Sequence, residues 1–218
     1  MCYNRPMMSH GQYTLTEERY HGITHGIGTA LAIAGFAALM VIAAHRGDVW
    51  RIVSFSIYGG SLTLLYLAST FYHSFQSERI KRFFRHLDHL SIFLLIAGTY
   101  TPVTLIGLRG TWGWTLFVLI WGFAVSGIVY ELLFLGRYKW ITMSIYLGMG
   151  WLAVVAIKPM LTMTPRGLFW WLLAGGLCYT GGVFFYVRKK MRCHHVLWHF
   201  FVLFGSACHF LGFFFYLT

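Results

Sequence analysis

The stretch His194–Phe210, HHVLWHFFVLFGSACHF, decides how this chain is read. From position 195 to 217 no Asp, Glu, Lys or Arg interrupts a run of aliphatic and aromatic side chains. A helix over such a run rises about 1.5 Å per residue, enough to cross a hydrocarbon core of about 30 Å. His195 and His199 stand four apart at its mouth, so they share one helical face one turn apart. The reading therefore turns on what else in the chain reaches the level of these two imidazoles.

The composition generalises the first observation. The 218 residues are 58% hydrophobic, 19% aromatic and only 11% charged, and the mean hydropathy is +0.64. Soluble domains carry about 25% charged residues, so the chain is read as an integral membrane protein. Apolar segments recur at 22–45, 52–74, 87–108, 112–134, 140–160, 167–187 and 195–217. The expected fold class is all-α, a seven-transmembrane helix bundle. Residues 1–21 form an N-terminal segment and residues 22–218 a single transmembrane domain. The links RGTWGW and LGRYKW are brief, which predicts tight hairpins, with Trp112, Trp114 and Trp140 at the membrane interface. Glycine pairs at 59–60, 175–176 and 181–182, and Gly22 with Gly26, predict close helix packing. Of the four cysteines, none forms a C-x-x-C pair.

The net charge of +11 does not argue for nucleic acid, because the basic residues sit in short loops beside apolar runs. Their expected partners are lipid headgroups and the membrane potential. Seven spans place twelve Lys and Arg on the side of the N-terminus and five on the other. The positive-inside rule then puts the N-terminus in the cytoplasm and the C-terminus outside.

Depth sorts the histidines. His21 and His25 open the first span, His73 closes the second, His86 and His89 flank Asp88 at the start of the third, and His194, His195 and His199 open the seventh. All belong to the expected cytoplasmic end. Ionisable groups within spans are costly and point to function, although imidazoles at a helix end can also simply reach interfacial water. His195 and His199 can grip one metal ion, and His73 adds a third ligand from another helix. Three imidazoles suit Zn²⁺ with a fourth position left open, and they also suit Cu, Ni or Fe. Asp88, one of six acids, either caps its helix or orients a water at the metal. Ser69 lies one turn before His73 and would reach the same water or an oxyanion.

The stretches EERYHGITHGIG, LYLASTFYHSF, LDHLSIFLLIAGTYTPV and HHVLWHFFVLFGSACHF resemble the hemolysin III family, which is related to the progestin and adipoQ receptors and to alkaline ceramidases. The resemblance covers nearly the whole chain. It implies a multi-pass protein of the bacterial inner or plasma membrane, with its N-terminus inside and a Zn²⁺ ion near the cytoplasmic face. It implies His73, His195 and His199 as metal ligands, Ser69 as the motif serine and Asp88 as the aspartate that contacts water. His25 matches the family, but His21 stands where bacterial members often carry Asn.

The chemistry expected of such a site is hydrolysis of a lipid amide or ester entering from the membrane. Zinc brings the pKa of water toward about 7, Asp88 serves as general base, and the metal with Ser69 stabilises the oxyanion. Two other readings stand beside it. In one the metal only staples helices of a lipid sensor. The other is the pore-forming cytolysin of the family name, for which span seven, ending FLGFFFYLT, is a poor water-facing wall.

Overall fold

Helix ends set the frame of the computed structural model, which describes residues 13–134 and 137–218. The first helix, α1 (Leu15–Arg46), begins seven residues ahead of the apolar segment. Its start is a reciprocal cap: Thr14 Oγ1 accepts the Glu17 amide at 3.3 Å and Glu17 Oε2 accepts the Thr14 amide at 2.9 Å. It ends at Gly47, whose left-handed φ of 64° costs glycine nothing. Asp48 then caps α2 (Val49–Ser74) by accepting the Trp50 amide at 2.9 Å. Of the expected segment 1–21, residues 1–12, with Cys2 and Arg5, lie outside the described residues.

α3 (Glu78–Pro102) runs on through a π-helical turn at Val103–Gly107. α4 (Thr111–Phe134) is continuous. The fifth span is broken: α5 (Lys139–Gly150), a 3₁₀ turn at Leu152–Ala156, and α6 (Ile157–Met163). A break in hydrocarbon leaves backbone groups without partners. The hydroxyl of Tyr100 from α3 supplies them, donating to the Gly150 carbonyl at 3.0 Å and accepting the Ala153 amide at 2.7 Å. α7 (Arg166–Val187) and α8 (His194–Tyr216) complete the bundle. Seven helical stretches are long and apolar enough to cross a membrane, and they coincide with the seven expected segments. Among the described residues no strand occurs. Trp112, Trp114 and Trp140 are exposed, as interfacial anchors require.

α1, α2 and α3 pack in sequence, α7 packs along α8, and α8 returns to α1, while α4 and α5 lie against α3. Small residues permit this. A Cβ on Gly98 would meet Ser61 Oγ at 2.3 Å, and one on Gly127 would meet the buried Phe93 ring at 2.2 Å. Two of the glycine pairs divide the work, Gly59 and Gly175 lying against Phe36 and His209 while Gly60 and Gly176 face open space, whereas Gly181 and Gly182 both pack against α8 at Phe201 and Trp198. Deeper in the bundle, Tyr66 of α2 donates to Ser206 of α8 at 2.8 Å, and Tyr179 of α7 lies 2.8 Å from the same hydroxyl.

Candidate metal centre

Three helices deliver imidazoles to one point. On α1, Glu18, His21 and His25 fall on one face by their spacing of three and four. On α2 the same spacing aligns Ser69 with His73, and on α8 it aligns His195 with His199. Gly22 lets α1 approach: its Cβ position lies 3.1 Å from Ser74 Oγ and 3.9 Å from His73 Cβ. Cys193 adopts a left-handed φ of 55° just before α8, the turn from which His194 and His195 enter the helix. His21, His73 and His199 are each 1% exposed and His195 is 9% exposed.

One ligand atom from each of His21, His73 and His195 lies within 4.8 Å of the others. The ring centroids are 4.8 Å apart for His21 and His73, 4.6 Å for His21 and His195, and 5.2 Å for His73 and His195. The Nε2 atoms of His73 and His195 stand 3.3 Å apart. A tetrahedral ion about 2.0–2.1 Å from each nitrogen separates its ligands by about 3.3–3.4 Å. The pair therefore already has the spacing of one edge of a coordination tetrahedron. His21 Nδ1 and His195 Nδ1 are buried without hydrogen-bond partners, an arrangement that costs free energy unless something occupies those lone pairs or protons. The donor set and its spacing fit a transition-metal ion.

The second layer supports the same assignment. His73 Nδ1 lies 2.6 Å from Glu18 Oε2, and Lys81 Nζ lies 2.5 Å from Glu18 Oε1. With its Nδ1 proton donated to the carboxylate, His73 turns the bare lone pair of Nε2 toward the cluster. Metal-binding histidines are oriented in this way by an outer carboxylate. Tyr13 closes the cluster from the end of the bundle, its ring 4.8 Å from that of His21 and 5.0 Å from that of His195. Burial pushes the Tyr13 phenol above its ordinary pKa, so it covers the site as a neutral group.

Of the expected ligands, His73 and His195 belong to the close trio, and His21 takes the third place. His199 lies beside them, its ring 4.7 Å from that of His195 and 5.3 Å from that of His73. Its Nδ1 is 3.0 Å from Thr24 Oγ1, a hydroxyl whose own proton goes to the carbonyls of Tyr20 and His21. Thr24 thus holds the Nδ1 side of the His199 ring. His25 stacks on His199 at 3.5 Å, and neither of its nitrogens has a partner. Ser69 and Asp88 both line the cavity that opens beside His195 and His199, with Ser69 as the neighbour of the Asp88 carboxylate. The cavity measures about 260 Å³.

Sequence reasoning missed Glu18 and Tyr13 altogether and gave His21 no role. The spacing Glu18–His21–His25 was available as a signal once the helix is taken to begin before position 18.

Residues 13–210 match the family described as Haemolysin-III related. The chain is 44% identical over 204 residues to the Hemolysin-3 homolog of Bacillus subtilis (strain 168), covering 94% of this chain and 96% of that one. It is 45% identical over 201 residues to Hemolysin-3 of Bacillus cereus, covering 92% and 91%. A more distant likeness, 29% over 217 residues, reaches the Monocyte to macrophage differentiation factor of Homo sapiens, covering 95% and 88%.

Proposed function

We propose that this chain, which belongs to the haemolysin III family, is a multi-pass membrane protein whose buried histidine cluster holds Zn²⁺ at the cytoplasmic side and hydrolyses a lipid amide or ester. The observation that carries the reading is the convergence of His21, His73 and His195, from three different helices, with ligand atoms within 4.8 Å. The cytoplasmic placement is supported by the excess of Lys and Arg at that end.

His73 and His195 form the core of the set and His21 completes it, with His199 close to all three, its ring 5.4 Å from that of His21. A Zn²⁺ ion bound there would supply Lewis acidity, polarising a carbonyl and acidifying water. Asp88, which lines the cavity, would orient a water there and accept its proton. Ser69, beside Asp88, offers a hydroxyl donor to the developing oxyanion. Glu18 holds the His73 ring in place, and Tyr13 excludes bulk water from the cluster. The cavity wall adds Leu65, Ile92, Met143 and Val202, an apolar lining suited to the first carbons of an acyl chain.

The test is release of fatty acid from labelled acyl amides and esters by the purified protein. The reading expects turnover that stops on chelation and returns with Zn²⁺. Metal-loaded protein that cleaves neither class would contradict it. A second reading is favoured by His199: a fourth imidazole at this range can close the coordination sphere, as in structural zinc sites. The protein would then be a metal-stapled lipid sensor. Metal bound by four histidines with no exchangeable water ligand would decide for that reading.

A further inference from the structure

The cavity has a second polar pole, built on Glu131 with His89 beside it. This residue is the last acid in the chain and lies within α4. It is 2% exposed. A carboxylate placed in a span is costly and needs a reason. Its Oε2 accepts the Thr142 hydroxyl of α5 at 2.8 Å. Its Oε1 faces the His89 ring nitrogen at 3.5 Å, a long ion-pair contact that leaves room for a closer donor. Among the described residues, then, one oxygen of a buried carboxylate keeps unused acceptor capacity in a residue that lines the cavity. The helices holding it are fixed: Tyr146 of α5 donates to the His89 carbonyl of α3 at 2.8 Å.

We infer that Glu131 is a specificity-determining residue that receives the hydrogen-bond-donating headgroup of a neutral amphiphile, one carrying hydroxyl or amide N–H groups. The charge around the pole selects a neutral head. Lys139 and Arg85 line the same cavity as Glu131 and Asp88, so an ammonium head meets two cations as well as the two acids. A phosphate or carboxylate head would meet Glu131 and Asp88 inside. A neutral donor meets neither penalty and satisfies the open Oε1. The volume agrees. About 260 Å³ is room for a headgroup and a few carbons, so the chain itself extends into lipid. The inference depends on the hydrolase reading only in placing an acyl bond at the histidines; recognition of the head needs no metal.

The test is therefore run on the full-length, chelator-treated protein in detergent, with native mass spectrometry reading retained ligand. The probes are 1-monolauroylglycerol, methyl laurate, dodecylammonium and dodecyl phosphate. The wild-type chain is expected to retain 1-monolauroylglycerol about tenfold better than methyl laurate, and better than either charged probe. Glu131→Gln should shrink that preference to below about threefold. If Glu131→Gln does not reach the membrane, Glu131→Asp, which withdraws the carboxylate by one carbon, carries the same expectation. A preference unchanged in a folded Glu131 variant, or a wild-type preference for dodecylammonium or dodecyl phosphate, overturns the inference. Loss of hydrolysis elsewhere leaves this result untouched, because no metal is present during the measurement.

Discussion

Glu18→Gln is the perturbation that tests how the histidine cluster is held. Glu18 is buried and bridges His73 Nδ1 at 2.6 Å and Lys81 Nζ at 2.5 Å. Both contacts are charge-assisted, roughly twice as strong as neutral hydrogen bonds. Glutamine offers a single acceptor oxygen. If that oxygen faces His73, the amide NH₂ confronts the Lys81 ammonium; if it faces Lys81, the NH₂ confronts His73 Nδ1–H. One of the two bonds is therefore lost in either orientation, and the His73 ring loses its fixed tautomer. Outer-shell changes of this kind cost about 10–100-fold in metal affinity, or roughly 1.4–2.8 kcal/mol at 1.4 kcal/mol per tenfold. Lys81→Met removes only the more exposed partner and should cost less than about threefold, as screened pairs contribute little. The assay is zinc competition against a chromophoric chelator in detergent, with helical content followed by circular dichroism. Glu18→Gln protein that is fully helical and binds zinc within twofold of wild type would refute the positioning role.

Three further outcomes are expected. Asp88→Asn should keep its metal by elemental analysis yet lose fatty acid release by about 10²-fold or more, the contribution of a general base; undiminished turnover removes Asp88 from the chemistry. Gly127→Ala drives a Cβ to 2.2 Å from the fully buried Phe93 ring, so thermal unfolding in detergent should show a loss of about 1–3 kcal/mol, whereas Gly122→Ala, which faces open space, should be close to neutral. Tyr100→Phe strands the Gly150 carbonyl and the Ala153 amide and should cost about 1–3 kcal/mol on the same measurement.

The seven spans were legible because each buries its own backbone bonds in a length the bilayer dictates. Hydropathy alone misplaces the start of α1, since Thr16, Glu17, Glu18 and Arg19 read as a polar tail. The pattern Thr14-x-x-Glu17 is the competing signal, and it is the one the structure obeys. Two turns of helix are gained, and with them Glu18 and His21 move from a solvated segment into the cluster. The spacings Ser69–His73 and His195–His199 place those residues by helical geometry alone, so their neighbourhood could be anticipated. Whether His21 or His199 stands nearer to His73 depends on helix rotation and approach, which Gly22 and the Thr24 hydroxyl determine through tertiary contacts. Glu131 is harder still. A lone acid in an apolar run shows that something must satisfy it, but Thr142 and His89 reach it from neighbouring helices that pack only in the folded bundle. The break in the fifth span was not legible either, because the hydroxyl that heals it belongs to α3.

Metal content decides whether the histidine cluster is a metal centre. Protein purified in the presence of zinc and desalted should carry about one ion per chain, and the His21→Ala, His73→Ala, His195→Ala triple variant should carry close to none while remaining helical. A folded triple variant with full metal content, or wild-type protein that retains no metal at all, would contradict the account.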